Sequence, residues 1–332
     1  MMPDASGMVI YVSTLLTMAL IGGMMCLGLN LQWGKMGLFN VGVAGFVAIG
    51  AYTSALLTTP PLEGQLGGYG WPIVAGAVGA MAASGIASAL VGAATLRLRA
   101  DYLAITTFGF AVLVQIVLRN AAHLTGGSFG INFIPRPWPM LVERPVWFGL
   151  ANLALVGMLV LLAFMALERL TRSPWGRVLR ALREDERAAC ALGKSALRYR
   201  LQAFSLGGAL MGLGGALQAH LIGFIAPENF AAELTFQVWT MLIIGGSGNN
   251  LGALLGAGLV AVIWSATGFA TSACFPPQEQ ARAAAIRVVV IGVLLAATVV
   301  LRPRGLLGER LKISSYIGSG KKGAQDTGTS GS

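Results

Sequence analysis

The chain is predicted to be all-α and integral to a membrane, a polytopic bundle of about 8–10 transmembrane helices, on three observations. Of its 332 residues 55% are hydrophobic and 11% charged, well outside the balance of a water-soluble domain. Its apolar residues gather into runs near 8–31, 37–59, 72–96, 102–120, 147–168, 201–223, 231–246, 251–271 and 284–301, and no Asp, Glu, Lys or Arg lies deep within them. Most of these runs match the roughly 20 residues an α-helix needs to cross a hydrocarbon core of about 30 Å. The third observation is 46 glycines, small residues that let helices approach closely where lipid supplies no hydrophobic drive for association.

The first run follows Met1-Met2-Pro3-Asp4-Ala5-Ser6-Gly7. That stretch lacks the basic residues that open a secretion signal, so 8–31 reads as the first membrane helix. The second run carries Gly37, Gly42, Gly45 and Gly50. A short turn bearing Arg97 and Arg99 joins the third and fourth, and a longer loop over 121–146 leads to the fifth. A charged segment over 169–200 divides the fifth from the sixth. The seventh run is short and ends in Gly246-Ser247-Gly248-Asn249-Asn250. It is either a full span meeting its neighbour at one turn or an arm of a re-entrant hairpin, where irregular backbone is tolerated inside protein. From Ser314 onward the chain is rich in Gly, Ser and Lys and cannot bury enough apolar surface to fold. The expected organisation is a membrane domain over 1–313 and a disordered cytoplasmic tail over 314–332.

Eighteen of the 23 Lys and Arg residues fall on one side of this arrangement: Lys35, Arg97 and Arg99, nine within 169–200, and six within 302–322. The other side holds Arg119, Arg136, Arg144, Arg282 and Arg287. Positive charge marks the cytoplasmic face, which sets the N-terminus outside and the C-terminus inside. The same rule accounts for the net charge of +10 through contact with membrane lipid, without nucleic acid as a partner.

Within 169–200, Ser173 and Pro174 suit a helix start. Val178, Leu179, Leu182, Ala188, Ala189 and Leu192 recur at helical spacing beside a basic face of Arg177, Arg180, Arg183 and Arg187. One or two short amphipathic helices are expected, stopped at Gly193. The segment either lies on anionic headgroups or docks a partner. Gly193-Lys194-Ser195 mimics the end of a phosphate-binding loop, but the Gly required five residues earlier is Ala188 and no buried strand precedes it. ATP is therefore expected on a partner chain, and this chain is expected to need no cofactor.

Cys26, Cys190 and Cys274 are far apart and show neither disulfide nor zinc spacing. His123 and His220 have no carboxylate or Cys partner at useful spacing, so no catalytic set is visible. The lack of a deep ionisable group also argues against an ion-coupled secondary carrier. Polar residues within runs are costly in lipid and face the bundle interior. Candidates for a solute path are Asn30, Gln32, Asn40, Thr53, Thr106, Thr107, Gln115, Gln202, Gln218 and Gln237, with Asn40 ranked first because Gly37, Gly42, Gly45 and Gly50 around it remove side chains. Helix-to-helix hydrogen bonding and close helix contact are the competing readings of these residues. Glu228, Glu233, Arg136 and Arg144 are candidates for contact with a delivery protein on the outer face, against the simpler reading of solvated loop charge.

Glu186-Arg187-Ala188-Ala189 followed by Gly193 has the form Glu-x-Ala-Ala-x-x-x-Gly, which resembles the coupling motif of ABC importer permeases, with Arg187 where Ala is common. Its neighbourhood is more specific. Gly37-Leu38-Phe39-Asn40-Val41-Gly42, Leu96-Arg97-Leu98-Arg99-Ala100-Asp101-Tyr102, the 180–189 stretch, Pro227-Glu228-Asn229-Phe230, Gly245-Gly246-Ser247-Gly248-Asn249-Asn250-Leu251-Gly252 and Arg302-Pro303-Arg304-Gly305-Leu306-Leu307-Gly308 occur in order. Over about 20–310 this series resembles the branched-chain amino-acid permeases of ABC importers, the LivM branch. The resemblance implies a permease in the bacterial inner membrane that carries hydrophobic amino acids, pairs with a second homologous permease, and works with two cytoplasmic ATPases and a periplasmic substrate-binding protein. It implies that Arg183, Glu184, Glu186, Ala188, Ala189 and Gly193 meet the ATPase. Urea or short amides are the alternative cargo, and a stand-alone secondary carrier the alternative mechanism.

Overall fold

The computed structural model describes residues 5–61, 67–275, 279–302 and 305–308. The expected tail over 314–332 lies outside the described residues. In chain order the helices are α1 (Ala5–Leu29), α2 (Val43–Thr58), α3 (Ile73–Thr95), α4 (Ala100–Asn120), α5 (Ala122–Thr125), α6 (Pro145–Arg172), α7 (Pro174–Glu184), α8 (Glu186–Ala191), α9 (Ala196–Ile222), α10 (Ala232–Gly245), α11 (Asn250–Cys274) and α12 (Gln280–Leu301). Each of the nine apolar runs holds a helix, and the charged segment holds two more. Among the described residues the only extended pairing is an isolated bridge between Ile131 and Ile225.

Among the described residues, five helices are long and apolar enough to cross a membrane: α1 with its continuation to Gly34, α3, α4, α6 and α11. Large apolar side chains point outward from them, including Val74, Leu90, Ile105, Leu113 and Leu161. In water such a surface would associate; against acyl chains it is the stable face. Local signals end the helices where expected. Pro145 opens α6, and Arg169 and Arg172 in its last turn complement the helix dipole. Gly223 stops α9 in the left-handed region at φ 80°.

The centre of the bundle is α9, which packs on α3, α2 and α1. Its glycines allow this: a Cβ on Gly28 of α1 would sit 2.5 Å from the Gly207 carbonyl oxygen of α9. Serines fasten the same seams. The Ser84 hydroxyl lies 2.9 Å from the Phe46 carbonyl and 2.7 Å from that of Gly208, and the Ser88 hydroxyl donates to Phe204 at 2.7 Å. Such small-residue contacts replace the hydrophobic drive that lipid withholds.

Two irregularities interrupt the first two spans, and they adjoin: the Leu38 N–H bonds the Gln32 carbonyl at 2.9 Å. The end of α1 widens at Asn30–Gly34, where the Lys35 N–H reaches back to the Asn30 carbonyl, the five-residue reach of a π-turn. The hydropathy of the second run predicts helix over 37–59, but the helix spans only Val43–Thr58. Residues 37–42 run irregularly because Gly37 sits at φ 74° and the Asn40 side chain takes the Gly42 N–H that a helix would need. With 16 residues α2 spans about 24 Å, and α10 with 14 spans about 21 Å, both short of a hydrocarbon core of about 30 Å.

Candidate functional site

The charged segment folds as a helix pair split at Asp185. Proline at its first position starts α7, which buries Gly176, Leu179 and Leu182 against the bundle. Asp185 leaves helical geometry and its carboxylate accepts the Ala188 N–H at 3.0 Å, capping α8. After Ala191 the chain turns through Gly193 at φ 78°, with Gly193 N–H bonded to Cys190 at 2.9 Å and Lys194 N–H to Ala189 at 3.2 Å. That pair of bonds is a Schellman stop.

The expected apolar stripe divides here. Ala189 is buried, whereas Ala188 and Leu192 face outward, Leu192 with 80% of its surface exposed. Glu184, Glu186 and Arg187 are exposed with them. The result is a protruding knob with small and apolar residues on its tip and charges around it. Glu186 pairs with Arg200 of α9 at 2.7 Å, which ties the knob to the central helix.

Arg183 faces the other way. Its guanidinium donates to the Gly34 carbonyl at the end of the widened turn, and its Cγ lies 3.2 Å from where a Cβ on Gly37 would stand. Trp175 adds a second tie, its indole N–H donating to Gln202 of α9 at 2.8 Å. The knob is therefore anchored to the segment that links α1 to α2.

The same segment holds the loop after α10. Asn30 donates to Asn250 at 2.8 Å and accepts the Gly248 N–H at 2.8 Å. The Lys35 ammonium donates to the Gly248 carbonyl, and Asn250 donates to Glu168 of α6 at 2.9 Å. The Leu306 and Leu307 N–H groups bond the Ile244 and Gly245 carbonyls at 2.8 and 3.0 Å. Two glycine-rich stretches far apart in the sequence thus form one junction.

Of the path candidates, Asn40, Gly42 and Gly45 lie together between α2, α4 and α10. Asn40 is fully buried: its carboxamide donates to Gln32 at 2.7 Å and accepts the Gly42 N–H at 2.8 Å, and its carbonyl accepts the Trp239 indole N–H at 2.9 Å. A Cβ on Gly42 would lie 2.5 Å from the Thr107 carbonyl oxygen, and one on Gly45 would lie 2.9 Å from the Ala111 Cα. Thr106 is on the exposed face of α4, its hydroxyl bonded to the Tyr102 carbonyl at 2.6 Å. Gln115 donates to Pro227 at 3.1 Å, steadying the turn before α10. Beside this cluster, Trp33, Phe39 and Trp239 meet in tilted and edge-to-face contacts with ring centroids 4.9–5.5 Å apart and line a cavity of about 540 Å³. Sequence reasoning missed this aromatic group, because its members come from three separate segments and only the break before α2 brings them together.

On the opposite end, Arg119 pairs with Glu228 at 3.0 Å with both side chains about half exposed, and Arg136 donates to the Ile222 carbonyl at 2.9 Å. His220 is buried, its ring nitrogens 2.9 Å from the Ser54 hydroxyl and 2.8 Å from the Pro135 carbonyl. It acts as a bridge between α2, α9 and the loop over 121–146.

Comparison with known proteins gives this architecture relatives. The high-affinity branched-chain amino acid transport system permease protein LivM of Escherichia coli (strain K12) is 38% identical over 267 residues, 74% of this chain and 61% of that protein. The chain thus matches less than two thirds of that relative's length. The nucleoside ABC transporter permease protein NupC of Lactococcus lactis subsp. cremoris is 29% identical over 66% of this chain and 70% of its own. The autoinducer 2 import system permease protein LsrC of Yersinia pestis is 30% identical over 42% and 40%. No solved structure matches the chain. The model of the family described as branched-chain amino acid transport system / permease component matches residues 11–299, from α1 through the knob and both interrupted helices into α12, and the chain belongs to that family.

Proposed function

We propose that the chain is the membrane-spanning permease subunit of an ATP-binding cassette importer that carries branched-chain, hydrophobic amino acids across the bacterial inner membrane. Its N-terminus is periplasmic and its C-terminus cytoplasmic, a reading supported by the bias of Lys and Arg toward the knob's side. ATP is bound by a separate ATPase pair, a second homologous permease completes the channel, and a periplasmic binding protein delivers the solute.

The observation that carries this reading is the knob held by Arg183. An exposed tip of small residues fits a groove on a partner, and Glu186 supplies charge for a basic edge. Closure of the ATPases pushes the tip; Arg183 passes the displacement to Gly34 and the lead into α2. Because α2 and α10 are short and end in irregular backbone, they can shift as units against the longer spans, the rocking that alternating access requires.

The test is uptake into vesicles holding the full importer, with leucine, urea and a nucleoside offered in turn. ATP-dependent leucine uptake that needs the ATPases and the binding protein is the expected result. Uptake by this chain alone, driven by an ion gradient, overturns the importer reading; preference for urea or nucleoside overturns the cargo.

A further inference from the structure

We infer that a cavity between α1, α9, α10 and α11, of about 400 Å³, is a transit subsite for a zwitterionic amino acid with an apolar side chain. The inference rests on the import reading and names where in the membrane the solute is held.

Two carboxamides line the cavity, Gln218 on α9 and Gln237 on α10. Polar groups at such positions are costly in lipid and mark solute pathways. The buried Gln218 Oε1 has no hydrogen-bond partner among the described residues, a condition that calls for a missing donor. An ammonium supplies one, and rotation of a carboxamide offers either its oxygen to an ammonium or its N–H to a carboxylate. None of the lining residues carries a formal charge, so the cavity suits a solute without net charge, and a zwitterion meets that condition while offering an ammonium to the unpartnered oxygen. A lone cation or anion is disfavoured in such surroundings.

The rest of the wall suits the side chain. Met18 and Met241 line it, and thioethers adapt to apolar groups of different shape. Room for Met241 comes from Gly22, where a Cβ would stand 3.0 Å from the methionine Cε. The volume lies within the usual range for a small-molecule site, about 300–1,000 Å³. At the rim, the Tyr11 hydroxyl bonds that of Ser265, joining α1 to α11. Both residues line the cavity, so their bond is a latch that separation of the two helices would break.

The test uses vesicles of the complete importer with leucine and phenylalanine as probes. Met241→Ala enlarges the wall, and the phenylalanine-to-leucine uptake ratio is expected to rise at least threefold. Gln218→Leu is expected to cut uptake of both at least tenfold, with partial recovery in Gln218→Asn. All variants are normalised to the amount of assembled complex, which separates misfolding from loss of the site. Wild-type vesicles that take up neither amino acid overturn the import reading and this inference with it. Wild-type uptake with an unchanged ratio in Met241→Ala and unchanged uptake in Gln218→Leu overturns the subsite alone.

Discussion

The Arg183 guanidinium donates to the Gly34 carbonyl, so one side chain from the knob holds the last turn of the first membrane helix. A hydrogen bond from a charged group contributes about 1.5–3 kcal/mol when partly shielded from water. Arg183→Ala is predicted to lower uptake on the order of tenfold while the assembled complex still hydrolyses ATP, since about 1.4 kcal/mol is a factor of ten. Arg183→Lys recovers part of the loss, because an ammonium reaches a carbonyl without the planar fork. The ratio of solute moved to ATP hydrolysed checks it; an unchanged ratio in Arg183→Ala removes Arg183 from the transmission route.

Gly42 predicts a different kind of loss. Its added Cβ would sit 2.5 Å from a backbone oxygen, that of Thr107, and a backbone carbonyl cannot swing aside as a side chain can. Gly42→Val should therefore destabilise the α2–α4 contact by about 1–3 kcal/mol, the usual range for overpacking. Thermal unfolding in detergent reads this directly. A melting temperature equal to wild type would mean that the two helices are not held this closely.

How far the sequence reaches can be judged at these residues. Composition and run length predict every long helix, because apolar length is a local property. The Gly193 stop is legible for the same reason: a left-handed position favours glycine whatever lies nearby. The start of α2 is not legible from hydropathy, since Leu38, Phe39 and Val41 continue the apolar run; what breaks the helix is Gly37 at φ 74° and one carboxamide, Asn40, bonding two residues ahead. Arg183 reads in the sequence as one more member of a basic face, and only tertiary contact with Gly34 turns it inward. The junction of 245–250 with Leu306 and Leu307 joins segments more than fifty residues apart, a distance over which periodicity carries no information.

Asn30 is the keystone of that junction, and its removal is predicted to loosen the loop before it loosens the bundle. Asn30→Leu deletes the acceptor of the Gly248 N–H and the donor to Asn250 together, leaving buried polar groups that cost about 1–3 kcal/mol each when unpaired. Hydrogen exchange over 245–250 should accelerate at least tenfold, with little change in the centre of α9. Equal protection in the variant and the wild type would refute the role.

Glu186 separates docking from folding. Its pair with Arg200 is partly exposed, and such ion pairs contribute no more than about 1 kcal/mol to stability. Under the proposed importer reading, Glu186→Lys should thus insert, assemble with the second permease and melt within a few degrees of wild type. Reversal of charge on the knob is a larger change for a partner whose edge is basic, where like charges face to face cost several kcal/mol. Uptake is predicted to fall at least tenfold and co-purification of the ATPase to weaken with it. Gly193→Pro should give the same phenotype by another route, because proline cannot adopt the φ of 78° that turns the chain back to the membrane. Full transport by both variants would show that the ATPase engages some other surface, whereas loss of the folded chain in Glu186→Lys would show that the Arg200 pair is structural rather than part of the docking face.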